Sequence, residues 1–470
     1  MLTIFLFIYF VSFADKPEKS VPALSPRAVE QRAKWGIATD EKDYPVARLY
    51  TDSLQRMGVK IHHTSRWFNG ATVEMEPETA EKVKKLKFVT AVEMTRDNTH
   101  PGELYAKHRT PLFTAVREES GLLTDDQLRL YNLLPLHQAG FEGQGILMTV
   151  CDGGFQNADR LSCFRHELEL GHFDFTDDAS DFYGSTGLHG TCCLSAISGI
   201  REDYHGAATK AQYYLMRSEE YETESPKEMD NLVAALEKAD SLGVNVFSVS
   251  LGYAMFDHDE WTLPKTALDG KSTRVSQAAT IAARKGMLVC VAAGNEGSKE
   301  WQTISVPADA DSVLTVGAVS TDSVIGAFSS YGPSADGRIK PDVCAVGVQA
   351  VLINAGGNTY RSNGTSFATP LLAGMAASLW SALPNENAMQ IRERIIRSAD
   401  RYNTPDTYQY GYGIPDAWKA YMMKLPMGLR DVQRDNGQWT KVLRDGQVLI
   451  IRGGRSYDLM GREIINRESR

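Results

Sequence analysis

Four polar residues stand at the ends of apolar runs in this 470-residue chain: Asp152, His189, Asn295 and Ser366. Ser366 lies in Gly364-Thr365-Ser366-Phe367-Ala368-Thr369-Pro370, where a glycine-flanked turn meets the apolar run Leu371 to Trp380. A serine hydroxyl is a weak nucleophile by itself. Its placement means chemistry only if the chain also supplies a base, a group that orients the base, and an oxyanion site. The same pattern fits an ordinary helix N-cap. Asp152 ends the apolar run 145–151, read as a buried strand of a parallel sheet, and the C-terminal edge of such a sheet is where functional groups gather. A plain turn aspartate fits there too. His189, between Gly187 and Gly190 and ahead of the run Cys192 to Ile200, is a candidate general base or a structural histidine. Asn295 follows Val289-Cys290-Val291-Ala292-Ala293-Gly294, and its side-chain NH2 can donate to an oxyanion without titrating. An Asn-Glu-Gly turn is the alternative.

Chain order separates hydrolase classes. All ten histidines precede Ser366, the last being His258, which excludes the Ser-Asp-His order of the α/β-hydrolases. The order here is Asp152, His189, Asn295, Ser366. With Asp152-Gly153-Gly154, His189-Gly190-Thr191, Gly294-Asn295 and the Gly-Thr-Ser-x-Ala-x-Pro stretch, the chain resembles the subtilisin-like serine proteases, the subtilase family. The likeness covers roughly 136–425 and departs at Ala345-Val346-Gly347, where the family usually has Ala-Pro-Gly.

The resemblance implies an Asp152, His189, Ser366 triad with Asn295 as oxyanion donor. It also implies that Ser250-Leu251-Gly252 pairs with an extended peptide substrate, that Ala293 and Gly294 line the other side of the primary pocket, and that Ser305 forms a floor admitting medium apolar side chains. The reaction implied is peptide-bond hydrolysis with no required cofactor and no metal in the active site. Calcium as a structural ion is the one cofactor left open, with Asp174, Asp177, Asp178 and Asp181, or Asp257, Asp259 and Glu260, as oxygen donors. These lack the EF-hand spacing, so solvated acidic loops are the alternative. A narrow processing protease or exopeptidase on the same fold, and a non-catalytic surface-binding scaffold, are the other functional readings. A dead scaffold is expected to lose a triad or oxyanion residue, and none is lost.

The elements needed to position these groups are legible as alternating strands and helices. Ser225-Pro226-Lys227-Glu228 reads as a capping box, Met229, Leu232, Val233 and Leu236 form a helical stripe, and a strand follows at Val244 to Val249. A second pair runs from Thr273 to Arg284 and from Met287 to Ala292. Repeated units of this kind predict an α/β fold with a parallel sheet covered by helices on both faces.

Around this catalytic region, 136–425, further segments are expected. The apolar run Leu2 to Phe13 reads as a secretory signal peptide over 1–14, which predicts export to the periplasm, cell surface or medium. Residues 15–95 read as strand, strand, helix, strand from Val59 onward and resemble the inhibitory prodomain of subtilases, an intramolecular partner; a permanent structural domain is the alternative. Residues 96–135 read as a processing linker and 426–470 as a short β module that resembles a sorting domain. A net charge of −9 without long like-charge runs argues against nucleic-acid binding, and no run is long enough for a membrane span. The six cysteines show no metal-ligand spacing and read mostly as small buried apolar residues, with no disulfide assignable.

Overall fold

The computed structural model describes residues 6–17, 20–97, 114–115, 122–176, 181–184, 187–220, 223–406, 408–424 and the tail strands within 440–464. It divides into a large unit, Met1–Tyr421, and a small one, Met422–Arg470. In the small unit the strands Thr440–Arg444, Gln447–Arg452, Arg455–Tyr457 and Glu463–Ile464 pair antiparallel in sequence order, as the turn residues predict.

The N-terminal part of the large unit is a four-stranded antiparallel sheet: β1 (Phe7–Phe13), β2 (Lys60–Ser65), β3 (Gly70–Met75) and β4 (Val89–Arg96), in the order β2-β3-β1-β4. Helices α1 (Pro26–Trp35), α2 (Arg48–Arg56) and α3 (Pro77–Val83) accompany it. The strands and helix expected between Val59 and Met94 are all present. The described part of the stretch expected as a signal peptide, 1–14, is largely a strand of this sheet. Residues 7–13 form an interior strand of this sheet, with Tyr9, Val11 and Phe13 in its core and the Phe10 ring under Arg274, 4.2 Å away. A strand covered on both faces has no polar alternation, so it reads like the hydrophobic region of a leader.

The catalytic region holds a seven-stranded parallel sheet in the order Val343–Val346, Leu314–Val319, Leu288–Ala292, Val246–Val249, Leu147–Asp152, Gln212–Arg217, Glu169–Asp174. Alternate residues face opposite cores. Met148, Val150, Val246, Leu288 and Cys290 join one cluster, and Leu147, Cys151, Phe247, Val249, Val289 and Val291 the other. Helices Leu188–Ser198 and Thr365–Ala382 pack on the first face; Lys227–Leu242 and Arg274–Arg284 cover the second. The strand order turns back beside Leu147–Asp152, which puts Asp152 at the switch point of the sheet. At the start of Lys227–Leu242, the predicted capping box is half made. Glu228 accepts the Ser225 N–H at 3.3 Å, while the Ser225 hydroxyl caps nothing.

The linker expected over 96–135 is also too long. Asp125–Leu130 and Leu134–Gln138 are helices, and Leu128, Tyr131 and Leu133 are fully buried in the first core cluster. The catalytic fold therefore begins near Leu123. Two helices of five and six residues are too short to show a period, which is why this stretch reads as a linker.

Candidate active site

Asp152 and His189 meet because the Leu188–Ser198 helix starts directly against the loop that follows Asp152. A methyl group on Gly190 would lie 2.1 Å from the Gly154 carbonyl oxygen, and one on Gly187, whose φ is 97°, would lie 2.3 Å from the Gly154 backbone. Only glycine permits this approach at both positions. His189 Nδ1 then lies 2.9 Å from both Asp152 carboxylate oxygens, and Asp152 Oδ1 also accepts the Gly153 N–H at 2.8 Å. The carboxylate is 1% exposed. Nδ1–H donation to Asp152 leaves Nε2 as the basic nitrogen.

Burial by itself would lower the His189 pKa, but the adjoining carboxylate outweighs it and, with the Cys193 thiol, raises it well above the ordinary 6.5. A general base must be neutral to work, so activity is lost as pH falls through this raised value. The acid limb of kcat/KM is expected above pH 6.5; a pH profile with its limb at or below 6.5 would contradict the assignment.

Ser366 is the second residue of the helix Thr365–Ala382 and is 8% exposed. Its hydroxyl makes no hydrogen bond to His189 among the described residues, although the His189 ring packs 5.4 Å from that of Phe367. Catalytic hydrogen bonds of this type commonly tighten only with substrate bound. Pro370, inside the helix, lacks the N–H that would bond the Ser366 carbonyl. That freed carbonyl accepts the Ser250 hydroxyl at 2.7 Å and the Cys193 thiol at 3.3 Å. The proline of the Gly-Thr-Ser-x-Ala-x-Pro stretch thus ties the serine backbone to two neighbouring elements.

Asn295 is exposed at the end of its strand. Its Oδ1 accepts both the backbone N–H and the hydroxyl of Thr365, at 2.9 and 3.0 Å, which leaves its NH2 group as the remaining donor. Thr365 Oγ1 also accepts the Gly294 N–H at 3.3 Å. Leu251 and Gly252 follow Ser250 beyond the Val246–Val249 strand, and Ala293 and Gly294 follow the neighbouring parallel strand Leu288–Ala292.

Two residues of this site escaped sequence reasoning. Thr365 was visible only as part of a turn, and its hydroxyl acts through tertiary contacts. Cys193 sits one helical turn after His189 with Sγ 3.8 Å from Nδ1, a relation the i, i+4 spacing could have revealed. Asp152, His189 and Cys193 place a carboxylate, an imidazole and a thiol within 4.8 Å of one another. All six cysteines are free and buried, and burial pushes the Cys163 thiol up to about 11. Of the acidic loops, Asp174 accepts the Thr176 N–H, Asp181 that of Tyr183 and Asp257 that of Glu224; Asp177 and Asp178 lie outside the described residues. Among the described residues no helix is long and apolar enough to cross a membrane.

Comparison with known proteins agrees with this arrangement. The model of the subtilase family (Peptidase S8) matches residues 143–413, and that of the Peptidase S8 propeptide domain of Bacteroidota matches residues 8–110. The chain is 27% identical to serine protease AprX of Bacillus subtilis over 313 residues, 58% of this chain and 66% of that protein. It is 25% identical to subtilisin E of Bacillus subtilis over 393 residues, 81% of this chain and 90% of that one. Subtilisin DY of Bacillus licheniformis is 37% identical over 185 residues, 39% of this chain and 59% of the relative. The propeptide match starts inside β1, in keeping with the role of that strand in the N-terminal sheet. The chain belongs to the subtilase family and is a serine protease that carries its own propeptide domain.

Proposed function

We propose that this protein is an exported endopeptidase that cleaves peptide bonds through an acyl-enzyme, with Ser366 as nucleophile, His189 as general base and Asp152 as its orienter. The observation that supports the proposal is the hydrogen-bonded Asp152–His189 pair, with the His189 ring 5.4 Å from that of Phe367, the residue after a serine at the start of an 18-residue helix. Ser366 Oγ attacks the carbonyl as His189 Nε2 takes its proton, and the same nitrogen returns that proton to the leaving amine. Water then hydrolyses the acyl-enzyme by the same route. Asp152 holds the tautomer and stabilises the imidazolium. The Asn295 NH2 and the Ser366 N–H hold the oxyanion, aided by the helix dipole. Backbone pairing with Ser250, Leu251 and Gly252 on one side, with Ala293 and Gly294 on the other, would bind an extended peptide. No cofactor is needed for these steps.

A serine-directed fluorophosphonate is expected to label the processed enzyme, and Ser366→Ala to remove the label. Absence of labelling in wild type would refute the proposal. Asn295→Ala is expected to lower kcat by ~10² to 10³, a magnitude known from subtilisin itself, with KM little changed. Near-full turnover in that variant would exclude the oxyanion role.

Export is part of the proposal, since a protease held inactive by its own propeptide suits release beyond the cell's own proteins. The tail strands are proposed as a sorting element. Removing residues 438–470 is expected to retain the protein inside the cell, and unchanged fractionation would refute that role.

A further inference from the structure

We propose that Thr114–Ala115 stays with the processed enzyme as a strand that braces the turn carrying Ser366, so that the activating cut falls ahead of Thr114. This rests on the protease reading above and adds to it a positioning segment from a stretch that reads in the sequence as linker.

The chain reaches Ser366 from a hairpin. Ala350–Ile353 and Thr359–Ser362 pair antiparallel, from Ala350 opposite Ser362 to Ile353 opposite Thr359, and Asn363 and Gly364 then lead into the Ser366 helix. On the other side of Thr359–Ser362 runs Thr114–Ala115, also antiparallel, with Ala115 opposite Tyr360 and Thr114 opposite Arg361. The last strand before the nucleophile is thus the middle strand of three. Without Thr114–Ala115 it would be an edge, and the backbone groups on its outer side would lose their sheet partner.

That middle strand supports both reacting groups. Along the chain it ends at the Ser366 turn, where the Gly364 N–H donates to the Gly347 carbonyl at 2.8 Å. Through the buried Tyr360 it reaches the base: the Tyr360 hydroxyl donates to Cys192 Sγ at 2.6 Å, and Cys192 belongs to the helix that opens with Leu188 and His189. The residue opposite Ala115 therefore joins the outer strand to the His189 helix by its side chain and to the Ser366 turn by its backbone. Serine and imidazole must meet within a narrow tolerance, since a misplacement of about 1 Å can cost ~10² in rate.

The same strand separates what leaves on processing from what stays. The propeptide match ends at residue 110, short of Thr114. At the near end of this stretch, Arg96 closes the last propeptide strand and is ion-paired with Glu220. Glu220 lies just beyond the Gln212–Arg217 strand that runs beside Leu147–Asp152, and the Ser218 N–H donates to the Asp152 carbonyl at 3.2 Å. The precursor is thus fixed at Arg96 beside the strand of the triad acid and at Thr114 beside the strand of the nucleophile. A cut between the two frees the propeptide and leaves the brace in place.

The test has two arms. N-terminal sequencing of the processed wild type is expected to find a first residue no later than Thr114; a chain that starts beyond Ala115 would overturn the brace. In the second arm, Thr114→Pro and Ala115→Pro are made singly in the full-length protein. Successive N–H groups of a strand point to opposite sides, so only one of the two faces Thr359–Ser362, and proline is tolerated where the N–H points outward. One variant is expected to lower kcat and the rate of fluorophosphonate labelling about tenfold or more with KM little changed, and the other to match wild type. Two variants that behave alike would overturn the brace and leave the protease reading standing. A processed wild type that takes no fluorophosphonate label would overturn both.

Discussion

Ser366→Ala is expected to yield a folded precursor that stays uncut and hydrolyses peptides about 10⁶-fold more slowly than wild type, the magnitude known for loss of the nucleophile in subtilisin itself. The change removes one hydroxyl that bonds to nothing else among the described residues. The structural contacts of Ser366 are made by its carbonyl, to Ser250 and Cys193, and alanine keeps that carbonyl. Alanine is also a strong helix former, so the start of Thr365–Ala382 is preserved. Loss of activity with an unchanged thermal midpoint would therefore report chemistry and not folding. Intact mass after expression in a protease-poor host measures the second half of the prediction. Wild type is expected to lose its N-terminal part by a cut between residues 95 and 123, ahead of the buried helices, and Ser366→Ala to keep it. The same processed mass in both would exclude self-cleavage.

The site was legible in the sequence because each of its residues ends an apolar run beside glycines. Asp152 and Asn295 follow strands buried on both faces, and His189 and Ser366 open helices that are apolar throughout. Burial on all sides removes amphipathic alternation and leaves the polar group at the run's end as the visible feature. The same physics hid β1, whose doubly covered strand looks like a leader. It also hid the helices between 125 and 138, because Asn132, at φ 51°, breaks them into pieces shorter than two turns. Roles set by tertiary contact, such as Thr365 holding Asn295, leave no periodic trace. The outer face of Lys227–Leu242 is a further case. Glu237 and Asp240 look like the solvated side of an amphipathic helix, yet they are 5% exposed.

What covers those acids is the propeptide domain, and Asp240→Ala is expected to weaken its hold by ~10² to 10³ without slowing the processed enzyme. Asp240 receives two cations from the propeptide side: Arg32, at 2.7 and 2.8 Å to its two oxygens, and Arg66 at 2.5 Å. Glu237 beside it accepts the Ser65 hydroxyl and the N–H groups of Arg66 and Trp67, at 2.5, 2.9 and 3.2 Å. Burial under the propeptide, opposed by Arg66, raises the Glu237 pKa. Alanine at 240 leaves two guanidinium groups buried with less negative charge, and removing one member of a buried ion pair costs about 3–5 kcal/mol. Arg32 keeps Asp43 as a partner, which places the expected loss at the lower end of that range. Asp240 lies near the C-terminal end of a helix that returns chain to the start of Val246–Val249, so it sits at the sheet edge opposite Asp152. Turnover after complete propeptide removal should therefore equal that of wild type. The measurement is activity recovered on serial dilution of the freshly processed complex, before the propeptide is degraded. The variant is expected to become active at a concentration ~10² to 10³ higher than wild type, and superimposable dilution curves would refute the assignment of the arginine–Asp240 cluster as the main hold. Because the charges are buried, added salt should shift both curves far less than the mutation does.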